Sequence, residues 1–247
     1  TGELMLYGDI SSSTWWGDEV TPKDFKKDLD ALGDIKNLNI YINSGGGDVF
    51  AGQAIHSMLK RHTASKTVYI DGLAASIASV IAMAGDKVIM PKNAMMMIHN
   101  AWTFAAGNKE DFRKLADDME KIDESILTTY TDKTGMTAEE IKTLMEAETW
   151  FTAEEAVEKG FADEVEQEKK LAASMEGSFL MLNNQKFDLG RYKNKPEVEE
   201  FEPEKPKEEP ESNENRDESQ PVSDNLKDQK EQFNKLTIKI HDYKEEN

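Results

Sequence analysis

The chain has 247 residues, 38% of them apolar and 32% charged, with a formal net charge of −19. So low an apolar share implies that part of the chain stays outside any packed core, and the acidity repels phosphate backbones, which argues against nucleic-acid binding. The absence of cysteine excludes disulfides, thiolate metal sites and a cysteine nucleophile.

In chain order, ELMLYG reads as a strand and TPKDFKKDLDALG as a helix with Thr21 as cap and Pro22 at its first position. LNIYIN reads as a buried strand ending in SGGGD, and VFAGQAIHSMLKRH as a helix. KTVYIDG is a strand that ends at Asp71-Gly72, and ASIASVIAMAG a helix whose first turn holds Ser76. KVIM and AMMMIH are two further apolar strand-like runs. Up to about Val165 this alternation predicts an α/β domain with a largely parallel sheet.

Residues 108–134 form a highly charged helical stretch whose apolar positions Phe112, Leu115, Met119, Ile122, Ile126 and Leu127 recur at three- and four-residue steps. Such a stripe packs against its own domain or against another subunit. A short helix, TAEEIKTLMEA, follows. In ETWFTAEEAVEKG, Thr152 and Glu155 form a capping box for a helix that Gly160 ends, and FADEVE is a last strand-like piece.

After Glu168 the character changes, although acidity is not confined there: 16 of the 30 basic and 30 of the 49 acidic residues precede position 169. Five of the seven prolines lie between Pro196 and Pro221, in an acidic, Ser-containing stretch that cannot order itself by burial. The expected division is a domain over 1–168, an extension of β-like character over 169–192, a disordered acidic segment over 193–232 and a short β-like end over 233–247.

The four histidines, His56, His62, His99 and His241, are too scattered for a metal motif, and no metal or cofactor is expected. His56 and His62 read as surface or packing residues, and His241 carries no role. The longest apolar run, LAASIASVIAMAG, is too short to cross a bilayer. The chain opens on Thr1 with no recognisable signal peptide, and a cytoplasmic protein is expected.

Three local signals carry chemistry. Gly45-Gly46-Gly47 follows a strand, where successive glycines let the backbone approach a ligand and turn amides outward; taken alone, it is a tight turn, and without a following Lys-Ser/Thr pair it is no phosphate loop. Ser76, in Gly72-Leu-Ala-Ala-Ser76, stands where a strand gives way to a helix among small neighbours, as a nucleophile would, or as filler on a buried helix. His99 leaves an apolar strand, as a base or as a half-buried packing residue.

Together, YINSGGGDVFAGQAIHSML, DGLAASIAS, MMMIHNAW and ETWFTAEEAVEKGFADEV resemble, over roughly Leu4 to Val165, the ClpP family of self-compartmentalising serine peptidases, and most of all its phage-type branch of prohead (head maturation) proteases. The resemblance implies an α/β fold of ClpP/crotonase-like superhelical βα repeats, a long protruding helix and a disordered acidic tail. It implies Ser76 as nucleophile and His99 as base, with the amides of Gly47 and Ile77 as an oxyanion hole.

A substrate strand would lie along Ser44, Gly45, Gly46, Asp48 and Val49, with Asn100 on its other side. Gly45 stands where the family has a proline. Where the family has an aspartate this chain has Glu148, which can orient an imidazole equally; Asp163, or a pair without a carboxylate, is the alternative.

The implied partners are a polypeptide substrate (capsid and scaffold proteins, or unfolded chains), a ring-shaped homo-oligomer stacked through the 108–134 helix, and an ATPase or a capsid. The implied location is host cytoplasm or an assembling prohead. The competing readings are a scaffolding protein with little activity, which the acidic tail suits, an acyl-CoA enzyme of crotonase architecture, and a membrane signal-peptide peptidase. Ser76 and His99 at this spacing, with no membrane segment, count against the last two.

Overall fold

The computed structural model describes residues 1–14, 19–166, 173–176, 178–182, 185–190, 192 and 194. The expected acidic disordered segment, Asn194 excepted, and the expected β-like end lie outside these residues.

A parallel sheet runs in the order β1-β2-β3-β4-β7, from β1 (Gly2–Tyr7), β2 (Asn37–Ser44), β3 (Ser65–Ala75), β4 (Lys87–Pro91) and β7 (Glu164–Glu166). Between them come α1 (Pro22–Ala31), α2 (Val49–Arg61) and α3 (Ile77–Ala82). This is the expected α/β architecture with a largely parallel sheet. Thr21 caps α1 by accepting the Asp24 N–H, and Pro22 costs nothing at the first turn because its missing N–H would have had no partner. Leu4, Leu6, Ile40, Ile42, Val68 and Ile70 alternate into one face of the sheet, where Phe25 and Leu29 of α1 and Ile55 and Leu59 of α2 cover them.

Helix α3 is buried at every residue, which accounts for its lack of charged side chains. The backbone of α2 approaches it closely: a Cβ on Gly52 would lie 2.2 Å from Ile77 Cγ1. Bulk on either helix would force them apart.

Two expectations are corrected. Strand β3 does not stop at Gly72 but runs on to Ala75. Beyond its pairing with β4 it finds a second partner, β5 (Met95–Ile98), in the register Leu73↔Met95, Ala74↔Met96 and Ala75↔Met97. Ser76 is consequently not in the first turn of α3 but just before it, with φ 55° and ψ −130°.

The segment TWFT, given no strand in the sequence reading, is β6 (Thr149–Thr152) and pairs antiparallel with β5. Helix α6 (Ala153–Glu158) carries the expected capping box of Thr152 and Glu155, and Gly160 takes the left-handed conformation after it, at φ 81°.

The charged stretch is α4 (Lys109–Thr134), and it leads into α5 (Ala138–Glu146). The apolar stripe of α4 divides. Its C-terminal part, with Ile122, Ile126, Leu127 and Tyr130, packs on the core of its own domain. Phe112, in its first turns, stays 48% exposed, and Phe104 in the preceding loop is 90% exposed.

Beyond residue 168, β8 (Ala173–Glu176), β9 (Phe179–Leu182) and β10 (Gln185–Asp188) form an antiparallel sheet in the order β10-β9-β8. Leu180, Phe187, Leu189 and Tyr192 bury themselves against Leu73, Ala75 and Met97 of β3 and β5.

Candidate active site

Sheet register brings the chemistry together. Ala75 pairs with Met97 across β3 and β5, and Ser76 N–H continues the ladder onto Met97 O at 2.9 Å. Ser76 and His99 therefore leave neighbouring strands side by side. Across β5 and β6, Ile98 pairs with Thr149, so the next step of that antiparallel register sets Glu148 opposite His99.

The contacts follow. Ser76 Oγ lies 2.8 Å from His99 Nε2, and Glu148 Oε2 lies 3.8 Å from His99 Nδ1. The His99 and Glu148 side chains are 9% and 10% exposed, so this polar line runs through a largely water-excluded wall. With Nε2 accepting the Ser76 hydroxyl, the ring carries its proton on Nδ1, toward the carboxylate.

Ser76 and Glu148 are the non-glycine residues with positive φ among those described, at 55° and 51°. Positive φ on a residue with a side chain costs on the order of 1–3 kcal/mol, and surrounding structure must hold it. At Ser76, Ser79 Oγ donates to Ser76 O at 2.5 Å and Ser79 N–H donates to the same carbonyl at 3.0 Å. Tyr130 OH, buried, pairs with Ser79 Oγ at 2.7 Å. The strain turns the serine hydroxyl out of the strand toward the imidazole.

The glycine loop reaches the same point. A Cβ on Gly46 would lie 2.6 Å from Ser76 Cβ and 3.2 Å from Ser76 Oγ, so only glycine lets the loop approach Ser76 this closely. The loop is pinned by Ile10 N–H onto Gly46 O at 2.9 Å and by Asp48 N–H onto Ile10 O at 2.8 Å. Both bonds bypass the Gly47 amide, and Gly47 is exposed. Ile77 occupies the first helical position of α3, where an N–H has no intrahelical acceptor.

Ser44 Oγ accepts the Gly46 N–H at 3.1 Å, and Asp48 Oδ1 caps α2 by accepting the Ala51 N–H at 2.9 Å. These side chains shape the loop, which buries Ser44, Gly45 and Gly46 and leaves Gly47 exposed at its tip. Val49 and Asn100 are half-buried at the two flanks. Asp163, the alternative acid, is engaged elsewhere: Val88 N–H and Lys133 Nζ each donate to its Oδ2 at 2.7 Å.

Sequence reasoning missed Asn43, whose buried Oδ1 accepts the Leu73 N–H at 3.1 Å where the β2–β3 register shifts beside the site. It missed the Ser79–Tyr130 pair because the two stand 51 positions apart. It also missed Tyr192 and Asn194, which lie on a segment with no chemical motif.

Among the described residues no group of three or more His, Cys, Asp or Glu is arranged to hold a metal ion, and no helix is long and apolar enough to cross a membrane.

A family model described as Clp protease matches residues 27–169. The chain is 33% identical over 140 residues to a Bacteroides fragilis protein named ATP-dependent Clp protease proteolytic subunit, a stretch covering 56% of this chain and 67% of that protein. A protein of the same name from Deinococcus radiodurans is 31% identical over 140 residues, covering 56% and 68%. One from Ligilactobacillus salivarius is 34% identical over 145 residues, covering 58% and 73%. What is shared with these proteins is therefore about two-thirds of their length.

Proposed function

The chain belongs to the Clp protease family, and we propose that it is a serine endopeptidase working through Ser76, His99 and Glu148. The observation that carries this reading is the 2.8 Å approach of His99 Nε2 to Ser76 Oγ on a residue held at positive φ. Ser76 Oγ attacks the scissile carbonyl carbon while His99 Nε2 takes its proton; the carbonyl oxygen becomes an oxyanion facing the amides of Gly47 and Ile77. The C–N bond then breaks, and His99 returns the proton to the leaving amine. Water, deprotonated by the same imidazole, hydrolyses the acyl-serine. Glu148 holds the Nδ1 tautomer and balances the imidazolium charge.

A peptide substrate adds as an extended strand beside the glycine loop, at its exposed Gly47. The uncovered half of α4, with Phe112, and the neighbouring Phe104 fit contact with another copy in a ring-shaped homo-oligomer. The relatives' name speaks of ATP dependence, and on this reading an ATPase partner delivers unfolded chains. The phage-type version of the same chemistry has capsid and scaffold proteins as substrates and needs no ATPase.

The test is fluorophosphonate labelling read by intact mass, on wild type, Ser76→Ala, His99→Ala and Glu148→Ala, with light scattering to record assembly. Labelling confined to Ser76 and lost without His99 is expected. A ring-sized assembly that takes no label would refute the peptidase reading in favour of a scaffold. Cleavage of an unfolded polypeptide with and without a Clp-type ATPase then separates the two substrate classes.

A further inference from the structure

The family match ends at residue 169, yet two residues beyond it touch the site. Asn194 N–H donates to Glu148 Oε1 at 2.7 Å, and Asn194 Nδ2 donates to Ala147 O at 2.8 Å. Tyr192 sets its ring edge against His99, with centroids 5.5 Å apart, and against Trp150 at 5.7 Å. Its hydroxyl donates to Gly45 O at 2.6 Å in a buried bond.

These residues are anchored. Tyr192 N–H bonds to Leu189 O at 3.0 Å and Leu189 N–H to Ser178 O at 2.8 Å, tying them to the β8–β10 sheet. That sheet is in turn packed on the strands that carry Ser76 and His99.

We propose that Asn194 and Tyr192 are positioning residues for the peptidase site, which the extension completes. The need arises from the glutamate. Glu148 has one more rotatable bond than an aspartate, and an unrestrained carboxylate at its end samples several positions. The Asn194 N–H fixes Oε1 and thereby presents Oε2 to His99. Tyr192 limits the swing of the imidazole from its other side and links that wall to the glycine loop through Gly45. The extension thus joins the acid, the base and the oxyanion loop into one rigid unit.

This inference rests on the serine peptidase reading, and its test keeps the two separable. The full-length chain is compared with Asn194→Pro, which removes the N–H, with Asn194→Gly, which keeps it and removes the side chain, and with Tyr192→Phe, which keeps the ring and removes the hydroxyl. Steady-state peptide cleavage and fluorophosphonate labelling rates are measured on each, with the thermal midpoint as the control for folding.

Asn194→Pro is expected to lower kcat and the labelling rate about ten- to hundredfold at unchanged KM, the loss of one hydrogen bond to a charged group. Asn194→Gly recovers most of that loss, and Tyr192→Phe falls about threefold to tenfold, as for a neutral bond. A role in folding alone would lower the midpoint and leave kcat per folded site unchanged. Should Asn194→Pro match Asn194→Gly in kcat while wild type labels, the positioning role is overturned and the peptidase reading stands. A rise in kcat in Asn194→Pro or Tyr192→Phe also overturns it, and identifies the segment as a strap that occludes the site. Failure of a ring-sized wild-type assembly to label overturns both.

Discussion

The Ser79–Tyr130 pair beneath Ser76 gives a prediction whose sign is unusual. Both side chains are buried, at 0% and 1% exposure. Ser79 Oγ has one proton and gives it to Ser76 O, so Tyr130 OH is the donor in their 2.7 Å bond. Burial pushes the Tyr130 phenol pKa well above its ordinary range, keeping that proton in place. Tyr130→Phe removes one neutral bond and costs about 1 kcal/mol. Ser79→Ala removes two bonds and strands a buried phenol, costing about 2–4 kcal/mol, or roughly 4–16 °C in thermal midpoint for a domain of this size.

In the double variant nothing polar is stranded. Ser76 O keeps the Ser79 N–H at 3.0 Å, and the cost returns to about 1–2 kcal/mol. The second substitution therefore restores stability lost to the first. Urea unfolding of the four proteins at one fixed protein concentration gives the coupling energy directly. If the double variant is destabilised by the sum of the two single costs, the assigned donor direction and the stranded phenol are both wrong. Because Ser79 also holds Ser76 at φ 55°, the labelling rate should stay low in the double variant while its stability recovers.

Gly47→Ala would set a Cβ 2.0 Å from Ile10 O at φ 147°; the loop must break its contacts with Ile10, and peptide cleavage should fall at least a hundredfold while circular dichroism of the sheet persists. Glu148→Asn removes the carboxylate but suits φ 51° better, since asparagine tolerates left-handed backbone. It should remain within about 1 kcal/mol of wild type in urea unfolding and lose about 10³–10⁴ in kcat, as a site whose histidine has the wrong tautomer does.

His56, half-buried on α2, has its pKa pushed from 6.5 down to about 4, by burial first and by Lys60 second. The folded value lies below the unfolded one, so its stabilisation is intact above about pH 6.5 and is lost as pH falls toward 4. His56→Gln should flatten that fall by about 1–2 kcal/mol after allowance for solvent screening; parallel stability curves for the two proteins would remove the assignment.

What the sequence made legible was local. Thr21-Pro22 at α1 and Thr152 with Glu155 at α6 are contacts within one turn, and each formed where the spacing required. The parallel sheet followed from apolar runs alternating with amphipathic ones. Ser76 and His99 were readable as motifs, but the reason they meet was not. That is the switch of β3 from β4 to β5 as its neighbour, beginning at Leu73, a question of strand register that no window of residues contains. The same omission placed Ser76 inside a helix and hid β6, whose four residues are too few for a period to show.

The extension fails legibility for a different reason. Its apolar residues Leu180, Phe187 and Leu189 announce burial, but not against what, and Tyr192 and Asn194 carry no motif because their contributions are a ring edge, a hydroxyl and a main-chain N–H. A backbone donor can be supplied by nearly any residue, so sequence pattern places almost no constraint on it. Glu148 is the one visible trace. A glutamate where the resemblance implies an aspartate needs something to restrain its longer arm. The Asn194 N–H on Oε1 lies beyond residue 169, where the family match ends.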